Sequence, residues 1–125
     1  MYELKITTDF SAAHNLRGYQ GKCENLHGHN WKVEVWVTAE KLDELGMLMD
    51  FKELKAATND LLDTLDHKYL NEVPPFDEIN TTAENIARYI FEKLSEKLND
   101  GNARVAKVRA WESDNAAASY SEEPA

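Results

Sequence analysis

Alternating apolar and polar residues near the start of the chain predict a half-buried strand over about residues 2–8. Tyr2, Leu4 and Ile6 fall on one face, and polar residues fill the other. A loop is expected over about residues 16–25. A second alternating stretch then predicts a strand from His27 to Ala39, whose odd positions share one face: His27, His29, Trp31, Val33, Val35 and Val37.

Two stretches with helical spacing follow the strands. Asp50, with Glu53 three residues on, is typical of a helix start, and apolar residues then recur at Phe51, Leu54, Leu61, Leu62 and Leu65. The segment Thr81-Thr82-Ala83-Glu84 predicts the start of a second helix, which ends at Asn99-Asp100-Gly101. Its inner face is expected to contain Ile86, Ala87, Ile90, Leu94 and Leu98.

Two short strands are predicted at the end of the chain. In the first, Ala106, Val108, Ala110 and Glu112 share a face, and the second covers about Ala116 to Tyr120. The order of elements predicts one α+β domain over residues 1–125, with a four-stranded antiparallel sheet and two helices on one face. Its open edges and uncovered face, which carries Trp36, favour pairing with other copies.

Composition narrows the functional classes. The chain of 125 residues has 14 Lys and Arg against 23 Asp and Glu, a formal net charge of −9, so we expect no nucleic-acid partner. No apolar run approaches the roughly 20 residues that span a membrane, and the first residues do not resemble a signal peptide. The single cysteine, Cys23, cannot form an intrachain disulfide. We therefore expect a cytoplasmic protein without a membrane partner.

Three of the four histidines lie close together in the sequence. His27 and His29 are two residues apart on a strand, so their side chains point to one face, and His14 can supply a third nitrogen from a neighbouring segment. Three imidazoles on one ion are typical of a catalytic zinc site, which keeps a fourth position open. The alternative is that they are separate polar or packing residues.

Cys23, four residues before His27, has three interpretations. It could be a fourth zinc ligand, which would close the site and make it structural. It could instead be a reactive thiolate beside the metal, with Lys22 helping to lower the pKa of the thiol. A small buried apolar residue is the third possibility.

Several other polar residues also have two interpretations. Asp66 next to His67 could orient the imidazole for proton transfer, or His67 could complement the end of the helix. Glu112, on an apolar strand face, could accept hydrogen bonds from adjacent N–H donors of a pterin or guanine, or be solvated. Thr81 and Thr82 could contact a ligand, although helix capping explains at least one of them.

Basic residues are concentrated near the histidines. Between His14 and Lys32, Arg17 and Lys22 face only Glu24 as an acidic neighbour, and zinc would add two positive charges. An anionic small molecule could therefore be drawn here, or these could be ordinary surface charges.

With these residues in place, the chain resembles the 6-pyruvoyl-tetrahydropterin synthase superfamily, and within it the bacterial 6-carboxytetrahydropterin synthases of the queuosine pathway. The resemblance spans nearly the whole chain. It is carried by the following residues and motifs: His14, Cys23-x-x-x-His27-Gly28-His29, Met49-Asp50-Phe51, Leu65-Asp66-His67, Thr81-Thr82-Ala83-Glu84-Asn85 and Glu112.

The resemblance implies a tunnelling fold, in which trimers close their sheets into a barrel and two trimers form a hexamer. It implies one zinc per subunit on His14, His27 and His29, a catalytic Cys23 thiolate, an Asp66–His67 proton relay from a neighbouring subunit, and a pterin anchored by Glu112. The implied substrate is 7,8-dihydroneopterin triphosphate. Arg17 and Lys22 are expected triphosphate contacts because of their charge and position.

Two features of the sequence bear on the branch, and a third bears on a local turn. Three residues separate Cys23 from His27, which favours the carboxy-forming branch over the pyruvoyl-forming one. Glu24, next to Cys23, leaves open a relative that uses Glu in place of or beside the cysteine and cleaves dihydroneopterin to a hydroxymethyl product. Asn80 stands where relatives often have proline, which concerns the local turn. A pterin- or purine-binding module without catalysis is the alternative from another functional class.

Overall fold

A five-stranded sheet is the central element of the chain. The computed structural model describes residues 1–19 and 24–123. The strands, in chain order, are β1 (Tyr2–His14), β2 (His27–Ala39), β3 (Lys68–Tyr69), β4 (Arg104–Ser113) and β5 (Ala116–Ser121). Their spatial order is β3-β1-β2-β4-β5.

The α+β class and the two helices are confirmed, but the sheet has one strand more than predicted. All neighbours are antiparallel except β3, which runs parallel to β1 through the pairs Ala12↔Lys68 and Ala13↔Tyr69. A strand of two residues is too short for alternation to reveal it. The expectation of four antiparallel strands was therefore wrong at this edge.

Strand β1 extends six residues beyond the predicted end and finishes at His14. Four of its even positions are buried, namely Ile6, Phe10, Ala12 and His14. Ser11, Ala12 and Ala13 have weak strand propensity, which hides this continuation in the sequence. His14 is consequently held by a sheet ladder.

Helix α1 (Phe51–Asp63) begins where the sequence predicts, because the Asp50 side chain accepts a hydrogen bond of 2.8 Å from the Lys52 N–H. Helix α2 (Ala83–Leu98) is capped by Thr82, which accepts from the Asn85 N–H at 3.1 Å. Within residues 1–19 and 24–123, neither helix nor any other is long and apolar enough to cross a membrane.

The core lies between the helices and one face of the sheet. Four residues of β2 are fully buried there: Trp31, Val33, Val35 and Val37. All the predicted inner-face residues of α2 are buried in the same core cluster, namely Ile86, Ala87, Ile90, Leu94 and Leu98. The odd residues of β2 thus form the face that continues into His29 and His27.

Two irregularities in β4 change which residues face the core. Trp36 pairs with Lys107 but Val37 pairs with Val105, so Ala106 is an extra residue in a β-bulge. Val105 is buried and Ala106 is only partly so, which makes the predicted placement of Ala106 on the core face wrong. A second irregularity between Trp111 and Ser113 leaves Glu112 without a pairing partner on β5.

The Asp50 cap can be tested by unfolding. Asp50→Ala should lower the free energy of unfolding by about 1 kcal/mol, since an N–H of the first turn of α1 loses its acceptor. Urea denaturation followed by circular dichroism measures this change. Asp60→Ala, which removes an exposed carboxylate inside the same helix, is the control and should cost less. Equal losses in both variants would contradict the capping assignment.

Candidate metal centre

Three imidazoles meet at one end of the sheet, on its core face. His14 closes β1 directly opposite His27, the first residue of β2, and His29 follows two residues along the same face. Their ring centroids lie 4.6–5.2 Å apart. His14 is almost fully buried, with 1% of its surface exposed. The β1–β2 register therefore brings together the three histidines predicted as ligands.

Backbone carbonyls orient two of these rings. Nδ1 of His14 lies 2.7 Å from the carbonyl oxygen of Thr81, and Nδ1 of His27 lies 2.9 Å from that of Asn25. Because a carbonyl can only accept, each Nδ1 carries the hydrogen, and each neutral ring keeps a lone pair on Nε2. This is the arrangement that metal-binding histidines usually show.

Glu112 completes the group from the end of β4. Its Oε1 lies 2.9 Å from Nε2 of His29, 3.5 Å from that of His14 and 3.7 Å from that of His27. The four ligand atoms all lie within 4.8 Å of one another. Sequence spacing does not group Glu112 with the metal ligands, although Glu112 shares the predicted apolar face of Val108 and Ala110.

The chemistry of these donors fits a metal ion. Nε2 of His14 is buried and has no hydrogen-bond partner among the residues that the structure describes. A buried polar atom without a partner is costly, and a cation at the centre of the group would remove that cost. His14, His27, His29 and Glu112 can therefore hold a metal ion.

Burial also keeps His29 in the form that binds metal. Desolvation lowers the pKa of His29 below the ordinary 6.5, the neighbouring charge of Glu112 opposes this shift, and His27 and His14 add to it. A lowered pKa means that protons compete with a metal for His29 only at a more acidic pH than for an ordinary histidine.

Asp66 and His67 form a pair separate from the three histidines. Asp66 accepts a hydrogen bond of 2.8 Å from the Ser11 N–H, and its other oxygen lies 2.8 Å from Nδ1 of His67. The bonds from Ser11 and His67 hold the pKa of Asp66 below its usual value. His67 has a φ of 58°, and its side chain is 81% exposed. The pair thus presents an imidazole to solvent.

An open groove of about 510 Å³ runs beside this pair. It is lined by residues from β1, β2 and β3, including Ser11, Ala13, Gly28, His29 and His67. Ser11, Ala13 and Gly28 belong to the face of the sheet opposite the core. The imidazole of His67 therefore borders a groove that is lined both by the helix-free face and by His29 of the three-histidine group.

Thr81 and Thr82 are both engaged within the chain. Thr81 is fully buried, and its hydroxyl lies 3.1 Å from the Asn15 carbonyl and 3.2 Å from Oδ1 of Asn71. Its own carbonyl accepts from His14, and Thr82 caps α2. Thr81 consequently holds a metal-ligand candidate in place through its backbone, a role that the sequence did not indicate.

Arg17 is tied to the turn before α2. Its Nη2 donates to the carbonyl oxygens of Phe76 at 2.7 Å and Ile79 at 2.6 Å. The side chain of Asn80 accepts from the Arg17 N–H at 2.9 Å and donates to the Arg17 carbonyl at 3.0 Å. Asn80 therefore fixes the turn by hydrogen bonds. The other two residues predicted for the site, Lys22 and Cys23, lie outside the described residues.

Comparison with known proteins identifies the family. Residues 3–123 match the family described as 6-pyruvoyl tetrahydropterin synthase. The chain belongs to this family. The resemblance seen in the sequence is thereby confirmed.

Individual relatives of this pterin synthase family differ in name. A protein of Archaeoglobus fulgidus, provisionally named 6-carboxy-5,6,7,8-tetrahydropterin synthase, is 46% identical over 106 residues, which is 82% of this chain and 84% of its own. One of Synechocystis with the same name is 40% identical over 89% of this chain and 86% of its own. The solved 6-pyruvoyl tetrahydropterin synthase of Caenorhabditis elegans superposes with a TM-score of 0.84 at 31% identity, over 98% of this chain and 96% of its own.

Metal titration can test which residues bind the metal ion. His29→Ala should weaken the binding of one Zn²⁺ by more than about a hundredfold, because a donor atom is lost rather than an outer contact. His67→Ala is the matched control, since its ring lies outside the group, and should bind like the wild type. Competition with a chromogenic chelator measures both affinities. Equal losses, or none in His29→Ala, would contradict the assignment.

Proposed function

We propose that the chain is a zinc-dependent carbon–carbon lyase. It converts 7,8-dihydroneopterin triphosphate and one water molecule to 6-carboxy-5,6,7,8-tetrahydropterin, acetaldehyde and triphosphate, as a cytoplasmic enzyme of queuosine biosynthesis. The observation that carries this proposal is the convergence of His14, His27 and His29, the first and second with their Nε2 lone pairs free, in a chain of the pterin synthase family. The name of the Synechocystis relative supports the carboxy product.

Zinc is the metal that this donor set favours. Three neutral imidazoles with a position left for an oxygen ligand are typical of catalytic zinc sites. Zinc bound there would act as a Lewis acid towards side-chain oxygens of the substrate and make neighbouring protons easier to remove.

Cys23 is the proposed base that removes a side-chain proton from the substrate. Its position four residues before His27 supports this role, and so does the place of its neighbour Glu24. Oε1 of Glu24 lies 3.1 Å from the Leu16 N–H and 3.7 Å from Nε2 of His27. The residue after Cys23 thus reaches the metal group, which is where a base must act.

Asp66 and His67 are the proposed proton relay. The lowered pKa of Asp66 keeps its carboxylate ionised, so it can hold the Nδ1 hydrogen of His67 and leave Nε2 free to accept a proton. Since the side chain of His67 is 81% exposed and does not belong to the group of ligand atoms, we propose that it serves the site of a neighbouring subunit. A hexamer built as a dimer of trimers, with sites between subunits, would satisfy this geometry.

The remaining polar residues are proposed to position the substrate. Glu112 would accept two N–H groups of the pterin, and Arg17 with Lys22 would meet the triphosphate. Nη2 of Arg17 already holds two carbonyls, so its other donors would make that contact. We propose that Thr81 acts by orienting His14 and that Thr82 contributes through the start of α2.

Formation of a 6-pyruvoyl product is the second candidate. It is favoured by the C. elegans structure, whose name states that product and which is 31% identical. The three-residue gap between Cys23 and His27 and the 40% identical Synechocystis relative favour the carboxy product. The two reactions differ in whether a carbon–carbon bond breaks.

A product assay separates these candidates. Zinc-loaded protein incubated with 7,8-dihydroneopterin triphosphate should release acetaldehyde and 6-carboxytetrahydropterin in equal amounts. Chromatography of the pterins and an enzymatic acetaldehyde assay follow both products. A 6-pyruvoyl product without acetaldehyde would contradict the carboxy assignment, and tight pterin binding without turnover would favour a binding module.

Replacement of Cys23 tests its role as base. Cys23→Ala should lower kcat by about 10²–10⁴-fold, the usual contribution of a general base, while zinc affinity stays within about threefold of wild type. Zinc content and turnover are measured on the same preparation. A large loss of zinc in this variant would show instead that Cys23 is a ligand of a closed, structural site.

A further inference from the structure

The carboxylate of Glu112 occupies an unusual place for a group that only anchors a substrate ring. Its Oε1 is 2.9, 3.5 and 3.7 Å from the three Nε2 atoms of His29, His14 and His27. A tetrahedral zinc site with metal–ligand distances of about 2.0–2.2 Å has ligand–ligand distances of about 3.3–3.6 Å. The observed distances bracket this value, so Oε1 lies where a fourth ligand would lie.

Three acceptors converge on this point: Nε2 of His14, Nε2 of His27 and Oε1 of Glu112. Nε2 of His14 and Nε2 of His27 carry lone pairs, because each Nδ1 donates to a carbonyl. Adding a carboxylate oxygen to such a set is unfavourable unless a cation lies between them. The arrangement therefore fits a carboxylate that binds the same ion as the imidazoles.

The local backbone of Glu112 suits a ligand that moves. The irregularity between Trp111 and Ser113 leaves Glu112 outside the pairing of β4 with β5, and bulges commonly redirect a side chain next to an active site. Its side chain is 36% exposed, whereas that of His14 is 2% exposed. Solvent and substrate can thus reach Glu112, whereas His14 is buried and held by the Thr81 carbonyl.

We propose that Glu112 is the fourth metal ligand in the substrate-free enzyme and leaves the metal when substrate binds. This inference rests on the proposed function, because it takes the three histidines as zinc ligands and the substrate as a pterin. A substrate oxygen then takes the fourth position, and the released carboxylate accepts the N–H groups of the pterin. In the substrate-free enzyme Glu112 occupies the fourth position on the metal. That position becomes free only for a molecule that supplies both an oxygen ligand to the metal and N–H donors to the carboxylate.

The direct test is a crystal structure of the zinc-loaded wild type without substrate. Oε1 of Glu112 should lie about 2.0–2.2 Å from zinc. In Cys23→Ala crystals soaked with 7,8-dihydroneopterin triphosphate, that distance should exceed about 3 Å. Water at the fourth position of the substrate-free enzyme, with zinc on His14, His27 and His29, would overturn the proposal and leave the proposed function intact. Zinc bound elsewhere would overturn both.

Azide binding to the cobalt-loaded protein gives a test in solution. Glu112→Gln keeps the size of the side chain but removes a strong ligand, so the affinity of cobalt for azide should rise at least about tenfold, or 1.4 kcal/mol. Glu24→Gln is the matched control, because it removes a carboxylate that lies 3.7 Å from Nε2 of His27 without being the proposed ligand. In Glu24→Gln the affinity of cobalt for azide should change less than about threefold, because only the electrostatic effect of a nearby carboxylate is lost.

Visible absorption of cobalt follows both titrations. Equal increases in the two variants, or no increase in Glu112→Gln, would overturn the proposal. If Glu112→Gln does not fold, as judged by circular dichroism, the wild-type crystal structure decides the question alone.

Discussion

The pairing of β1 with β2 is the constraint on which the rest of the site depends. The ladder runs without interruption from Tyr2↔Ala39 to His14↔His27, and the residues on its core face are Val37, Val35, Val33 and Trp31 before the histidines begin. A slip of one residue would turn that whole face to the other side of the sheet. The burial of three valines and a tryptophan therefore fixes the position of the imidazoles. The metal ligands are held in place largely by the free energy of packing the core.

Backbone carbonyls supply the second level of order. Thr81, just before α2, accepts from His14, so the start of the helix is linked to the end of β1. The buried hydroxyl of Thr81 is in turn held by Asn15 and Asn71. These bonds select the tautomer of a neutral imidazole and leave its lone pair facing the other donors. Helix, strand and loop together place hydrogen-bond acceptors at one point, and a cation can bind such a group of acceptors.

The sequence predicts patterns within single helices and strands well, but it predicts contacts between these elements poorly. The bounds of β2, the Asp50 cap and the buried face of α2 follow from alternation and helical spacing. The end of β1 was missed because Ser11 and the two alanines carry little strand signal. Bulges at Ala106 and Glu112 depend on pairing with β2 and β5, which periodicity does not encode. For the same reason the three histidines could be grouped from spacing, whereas the approach of Glu112 and the Thr81 carbonyl could not.

The central claim is that the fold prepares the histidine lone pairs before any metal arrives. Long-range ¹H–¹⁵N NMR of the metal-free protein at neutral pH reports directly which ring nitrogen of each histidine carries the hydrogen. We expect the hydrogen on Nδ1 of both His14 and His27, bonded to the carbonyls of Thr81 and Asn25. Spectra with the hydrogen on Nε2 of either residue, or with rapidly exchanging tautomers, would contradict the claim.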